Sequence, residues 1–108
     1  MKDLIIGKGN LNGKGVYANR DFNKGEIIIK YNLKPITEQE LKYLSVNEKQ
    51  FTHSHWGIIY LYSKPERYVN HSENPNSYQD LTNKCDVALR KIKKGEMITT
   101  DSTKDDIS

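Results

Sequence analysis

The sequence predicts a single, mainly β domain of short strands in several small sheets, with one short helix. Three observations lead there. Two β-branched or aromatic runs of strand length, Ile27-Ile28-Ile29-Lys30-Tyr31 and Trp56-Gly57-Ile58-Ile59-Tyr60-Leu61-Tyr62, carry the composition of pleated, half-buried surface. Turn punctuation recurs: Asp21-Phe22-Asn23-Lys24-Gly25-Glu26 has a close echo in Lys91-Ile92-Lys93-Lys94-Gly95-Glu96, and each Lys-Gly reversal is followed by an emerging strand. Only Thr37 to Leu44 has the pattern of a helix.

Taken in order, residues 3 to 6 (Asp-Leu-Ile-Ile) read as a short buried strand. Gly7 to Gly15 then holds four of the seven glycines together with Asn10 and Asn12, which makes a turn-rich loop. Two glycines flank Lys14 and expose main-chain groups there, and both a simple hairpin loop and the border of a ligand fit that composition. The repeated Lys-Gly-Glu turn marks two similar corners of one architecture and not a repeat protein. In Thr37 to Leu44, Thr37 caps, Glu40 closes a capping box, and Leu41 and Leu44 share a face for packing. The remainder to His55 is polar and reads as irregular. His53-x-His55 lacks a second pair of ligands, so no metal is expected. In the next strand Tyr60 and Tyr62 share one face and Ile59 and Leu61 the other; the tyrosine face serves core packing or, alternatively, an aromatic corridor. Ser77 to Leu81 and Cys85 to Leu89 pair as a hairpin through Leu81-Thr82-Asn83-Lys84. The tail Asp101-Ser102-Thr103-Lys104-Asp105-Asp106 is short, acidic and expected to fray.

Composition sets bounds. A chain of 108 residues fits one compact domain. Seventeen basic against fourteen acidic residues, a formal charge of +3, is too mild for a dedicated nucleic-acid binder. A single cysteine, Cys85, forms no internal disulfide and gives no sign of an oxidising compartment. With no bilayer-length apolar run and no basic-then-apolar leader, a soluble intracellular protein, cytoplasmic by default, is the expectation.

Chemistry concentrates in Arg67-Tyr68-Val69-Asn70-His71-Ser72-Glu73-Asn74-Pro75-Asn76. Tyr68 and Val69 can continue a short strand, but Asn70, His71, Ser72 and Asn74 favour bonds to nearby backbone and draw the chain out of a ladder. Pro75 stiffens the end of the loop. Amide and imidazole groups held in such a loop offer donors and acceptors that suit a purine edge, while a polar surface turn accounts for the same composition.

Arg-Tyr-Val-Asn-His-Ser-x-x-Pro-Asn resembles the Asn-His-Ser motif of SET-domain proteins, the S-adenosylmethionine-dependent protein-lysine methyltransferases. Gly13-Lys14-Gly15-Val16-Tyr17-Ala18 resembles the family's early Gly-x-Gly motif, and Ala88-Leu89-Arg90-Lys91-Ile92-Lys93-Lys94-Gly95-Glu96 resembles its closing segment. The three occur in the family's order and span nearly the whole chain. The resemblance implies a SET-domain (β-clip) architecture over residues 1–108, without flanking zinc segments: many relatives place a cysteine where Glu73 stands and more beyond the closing strand, and this chain has neither. It also implies a knot-like crossing in which the end of the chain threads beneath a preceding loop.

The resemblance further implies S-adenosylmethionine as cofactor, with Lys14, Gly15 and Tyr17 bordering its amino-acid end, Asn70 and His71 holding its adenine, and Arg67 also among the cofactor-binding residues. The partner it implies is a protein or peptide that presents a lysine from the opposite face. One departure stands out. The closing strand runs Met97-Ile98-Thr99-Thr100-Asp101-Ser102, so Ser102 occupies the place of the family's catalytic tyrosine and Thr100 that of an aromatic residue in the substrate channel. A serine hydroxyl stops several ångströms short of a phenol's reach. Two readings remain: a minimal lysine methyltransferase in which Tyr60 or Tyr62 takes over the phenol's role, or a catalytically impaired module that binds the cofactor or a basic peptide. As the chain ends at Ser108 with no later segment to roof the tunnel, a homodimer or the substrate is expected to complete it.

Overall fold

The structure, a computed structural model, describes residues 3–9 and 13–101. Strands β1 (Leu4–Lys8) and β2 (Lys14–Ala18) form an antiparallel hairpin, with Leu4 opposite Ala18 and Lys8 opposite Lys14. Strand β3 (Ile27–Lys30) lies antiparallel to β9 (Cys85–Ala88), which also pairs with β8 (Ser77–Asp80); β9 is central and buried at every position. A second three-stranded sheet places β6 (Ile58–Leu61) between β4 (Lys34–Ile36) and β5 (Thr52–His55). The last pairing is parallel, between β7 (Asn70–His71) and β10 (Thr99–Thr100).

The two Lys-Gly-Glu corners are built alike and grip each other. Gly25 N–H donates to the Ala88 carbonyl (2.9 Å) and Gly95 N–H to that of Ala18 (2.8 Å). Ala18 N–H answers to Glu96, Ala88 N–H to Glu26, and Phe22 and Ile92 exchange both their main-chain bonds. The result is a local pseudo-twofold clasp. Gly25 (φ 87°) and Gly95 (φ 95°) both turn left-handed, a conformation that a side chain resists. Inside each corner the glutamate folds back: Glu26 accepts from Asn23 N–H and Arg20, and Glu96 from Lys93 N–H and Arg90. Beneath the clasp lies the core, where Val16, Phe22, Ile92 and Ile98 are fully buried and the small side chains of Ala18 and Ala88 let the corners approach.

Several expectations need correction. Strand β1 is not buried, for Ile5 is 49% and Ile6 41% exposed. Its only strand partner among the described residues is β2, whose far side bridges to Met97, so β1 is an edge that packs only Leu4 against the core. Helix α1 (Glu38–Tyr43) has the expected capping box, with Thr37 Oγ1 accepting from Glu40 N–H and Glu40 Oε1 from Thr37 N–H. It buries no residue fully, but Leu41 and the C-cap Leu44 are its half-buried positions, so the expected packing face is present at the surface and not in the core. The segment after it is regular: Ser45 caps a single-turn helix α2 (Val46–Lys49), and β5 follows. Tyr68 and Val69 continue no strand; Glu66–Tyr68 form a 3-10 turn and pairing begins at Asn70. The hairpin of β8 and β9 is as expected, closed by Asp80 accepting from Asn83. Among the described residues no helix is long and apolar enough to cross a membrane.

Candidate functional site

The three motifs meet in space. Asn70, at the start of β7, donates one amide hydrogen to the Lys14 carbonyl (2.7 Å) and the other to that of Tyr68 (3.0 Å), which fastens the motif loop to the glycine loop. Gly15 lies at the contact. A Cβ there would sit 3.2 Å from Gly9 Cα, 3.3 Å from Asn70 Nδ2 and 3.4 Å from Met97 Cε, so the close approach of all three segments depends on its missing side chain.

The closing strand is stitched to the same loop. Thr100 pairs with His71, and Ser72 N–H donates to the Thr100 carbonyl (2.9 Å). Asn76 reads the strand's main chain with its whole amide, donating to Met97 (2.8 Å) and accepting from Thr99 N–H (2.9 Å). Ser77 Oγ donates to the Thr99 carbonyl (2.7 Å). A two-residue parallel ladder is weak by itself, and these buried side chains supply the missing bonds.

Beside the junction opens a cleft of about 480 Å³, lined by Gly13 and Lys14, by Asn47, Gln50 and Phe51, and by Arg67 to Asn70. Arg67 organises it. Its Nε donates to the Tyr62 carbonyl (2.8 Å), its Nη1 and Nη2 reach the two Glu48 oxygens (2.8 and 3.4 Å), and its guanidinium lies 4.5 Å from the centre of the Phe51 ring. Phe51 in turn meets Tyr68 edge to face, with 5.6 Å between ring centres, and Lys14 Nζ stands 5.1 Å over Tyr68. A larger hollow of about 740 Å³ lies between α1 and the β4–β6–β5 sheet, but it holds no motif residue, so the smaller cleft is the better candidate.

Just upstream, burial raises the Glu66 carboxyl above the ordinary glutamate range, against the opposing bond from Asn32 N–H (2.7 Å). That bond ties the 3-10 turn carrying Arg67 to the end of β3.

Of the residues singled out in the sequence, Lys14, Arg67 and Asn70 line the cleft and Gly15 adjoins it. Tyr17 packs differently: its hydroxyl donates to the Lys8 carbonyl and its ring lies against Gly7. His71 is exposed, with Nδ1 3.8 Å from Asp101, and is not part of the cleft lining. Thr100 is buried in β10. Ser102, and with it the knot-like crossing of the chain end, lies outside the described residues. Tyr60 and Tyr62 are both buried, and Tyr62 OH shares a 2.7 Å hydrogen bond with His55 Nε2. His53 and His55 stack within this aromatic cluster, and among the described residues no group of three or more His, Cys, Asp or Glu side chains is placed to hold a metal ion.

The α2 wall was missed in the sequence, although Ser45-Val46-Asn47-Glu48 fits the Ser-x-x-Glu start of a helix. The polarity of the stretch hid it.

Comparison with known proteins agrees with this geometry. The family model of the SET domain matches residues 13–101. The chain is 30% identical over 118 residues to the Drosophila melanogaster histone-lysine N-methyltransferase trr, and 30% identical over 115 residues to a Candida glabrata histone-lysine N-methyltransferase specific for H3 lysine-36. Each match covers 92% of this chain, which spans only 5% and 16% of those two relatives. Among solved structures, a candidate histone methyltransferase of Plasmodium falciparum superposes with a TM-score of 0.72 at 25% identity, covering 94% of this chain and 93% of that one. A structure of ctPRC2 in an autoinhibited conformation bound to S-adenosylmethionine has a TM-score of 0.75 at 21% identity, over 96% of this chain and 15% of that one. With the family model spanning the glycine loop, the Asn-His-Ser loop and the closing strand that meet around Gly15, this chain belongs to the SET-domain family.

Proposed function

We propose that the chain binds S-adenosylmethionine in the cleft beside Asn70 and transfers its methyl group to the side-chain amine of a protein lysine. The observation that carries this reading is that Asn70 and Met97 converge on the space that Gly15 leaves by having no side chain, beside a cleft lined by Lys14 and Asn70. The residues present fit such a ligand. The cleft volume of about 480 Å³ falls in the range of small-molecule sites. Phe51 and Tyr68 offer ring surface to a purine, Asn47 and Gln50 offer amide donors and acceptors, and Lys14 offers a cation to a carboxylate. Asn70, with both amide hydrogens committed to carbonyls, acts as the staple that shapes the cleft.

Bound S-adenosylmethionine supplies an electrophilic methyl group on a sulfonium. The protein's task is alignment and exclusion of water, because an in-line displacement by an amine needs little acid or base assistance. The target lysine has to shed a proton that it holds firmly in water, and a dry, apolar approach favours that loss. Thr100 borders the approach in this reading, by its place in the closing strand next to His71.

A second reading is a module that binds the cofactor or a basic peptide with little turnover, favoured by the serine at position 102 where the family carries its tyrosine. Calorimetry with S-adenosylmethionine tests what both cofactor readings share: wild-type protein releases heat and gains thermal stability. No response at millimolar ligand removes them. Labelled cofactor with histones, the substrate class named for the relatives, then separates turnover from binding, and Ser102→Tyr raises the rate if the phenol is what has been lost. A second copy of the chain is one proposed means of roofing the approach, and light scattering on the eluting protein tests it directly.

A further inference from the structure

We infer that α2 is a working wall of the cofactor cleft, held by Glu48 as a positioning residue, with the Asn47–Gln50 amide pair making contacts to the ligand. This rests on the cleft being the cofactor site.

The two helices differ in where one glutamate reaches. Both begin with the same pattern, a hydroxyl residue followed three positions later by glutamate, Thr37 to Glu40 and Ser45 to Glu48. In α1 the glutamate folds back and closes the box on Thr37 N–H (3.1 Å). In α2 Ser45 Oγ still accepts from Glu48 N–H (3.2 Å), but the Glu48 carboxylate reaches out to the Arg67 guanidinium with both oxygens. It thereby leaves a local bond for one to the motif loop. A two-point charge-assisted pair fixes orientation as well as distance. Arg67 is the better-buried partner, its side chain 11% exposed, and its Nε is anchored on the Tyr62 carbonyl, so the rigid part of the clamp is the motif loop and the part being placed is α2.

What α2 brings to the cleft is chemically specific. Gln50 Nε2 donates to Asn47 Oδ1 (2.8 Å), which aligns the two amides and leaves Asn47 Nδ2 as donor and Gln50 Oε1 as acceptor. Both residues line the cleft, as do Arg67 and Phe51, which lie against each other. A single-turn helix has no means of holding such a pair in place by itself, since its nucleus is costly. The Glu48 clamp provides it.

The test uses S-adenosylmethionine titrated into the whole chain by calorimetry, with melting temperature recorded for each variant. Glu48→Ala weakens binding by up to about fivefold, the upper end of what a part-exposed ion pair contributes. Glu48→Gln, which keeps one hydrogen bond to Arg67, recovers part of it, and 0.5 M salt narrows the gap between wild type and Glu48→Ala, as roughly expected of a part-exposed ion pair. Asn47→Ala with Gln50→Ala weakens binding without lowering the melting temperature. Unchanged affinity in Glu48→Ala, or affinity that falls only in step with melting temperature across all three variants, overturns the inference while leaving the cofactor assignment intact. Failure of the wild type to bind at all overturns the assignment instead.

Discussion

Asn70 both lines the cleft and ties it together: its amide hydrogens end on the carbonyls of Lys14 and Tyr68 and so hold two loops side by side. Asn70→Ala strands both carbonyls, and the expected loss is about 1–3 kcal/mol of stability in urea unfolding. Asn70→Asp should cost at least as much, because it replaces donors by acceptors facing the same carbonyls. Gly15→Ala is a second probe at this scale. Its Cβ would crowd Asn70 and Met97 at once, and a combined loss of stability and cofactor affinity is expected, measured by melting and calorimetry on one preparation. Local composition marked the loops that hold Asn70 and Gly15, and the resemblance to the SET-domain motifs singled out the two residues. Glu48 stayed unread, because a surface glutamate in a polar run becomes meaningful only when Arg67, distant in sequence, is brought beside it.

Among the elements, the corners were the most legible and the edge strand the least. Lys-Gly-Glu announces its turn by itself, since glycine supplies the left-handed φ and glutamate caps the main chain, and both corners carry these bonds. That the two clasp each other is a tertiary fact which no local pattern contains. Gly25→Ala and Gly95→Ala each force a Cβ into φ near +90°, although nothing lies within 4 Å of either position. Strain alone is therefore expected, about 1–2 kcal/mol per site by denaturant midpoint, and since each corner's main chain bonds the other, the double variant should deviate from additivity. Strand β1 misled in the opposite way. Its Leu-Ile-Ile run has core composition, but composition does not say whether a second layer will cover it, and β1 ends up at an edge with both isoleucines half in solvent.

At the scale of the molecule, the 3-10 turn that aims Arg67 is tied to the end of β3 through one buried carboxylate, Glu66, 5% exposed, whose Oε2 accepts from Asn32 N–H. Burial raises its folded-state pKa, so the native protein holds this proton more tightly than the unfolded chain does. Stability from this group is therefore fully present below the ordinary glutamate value of 4.5 and is lost as pH rises from there through the raised folded value. Glu26 and Glu96 run the other way. Bonds from Arg20 and Asn23 lower the first, and the Lys93 N–H and Arg90 lower the second, so their contribution is present above 4.5 and disappears as pH falls through their folded values. The wild-type profile thus mixes two opposed trends, and Glu66→Gln separates them. Glutamine keeps a carbonyl for Asn32 N–H and removes the charge, so the variant should melt higher than wild type at about pH 7 and lose that advantage near about pH 4, where Glu66 is already protonated in both states. An advantage of equal size at both pH values would mean that packing, and not the buried charge, separates the two proteins.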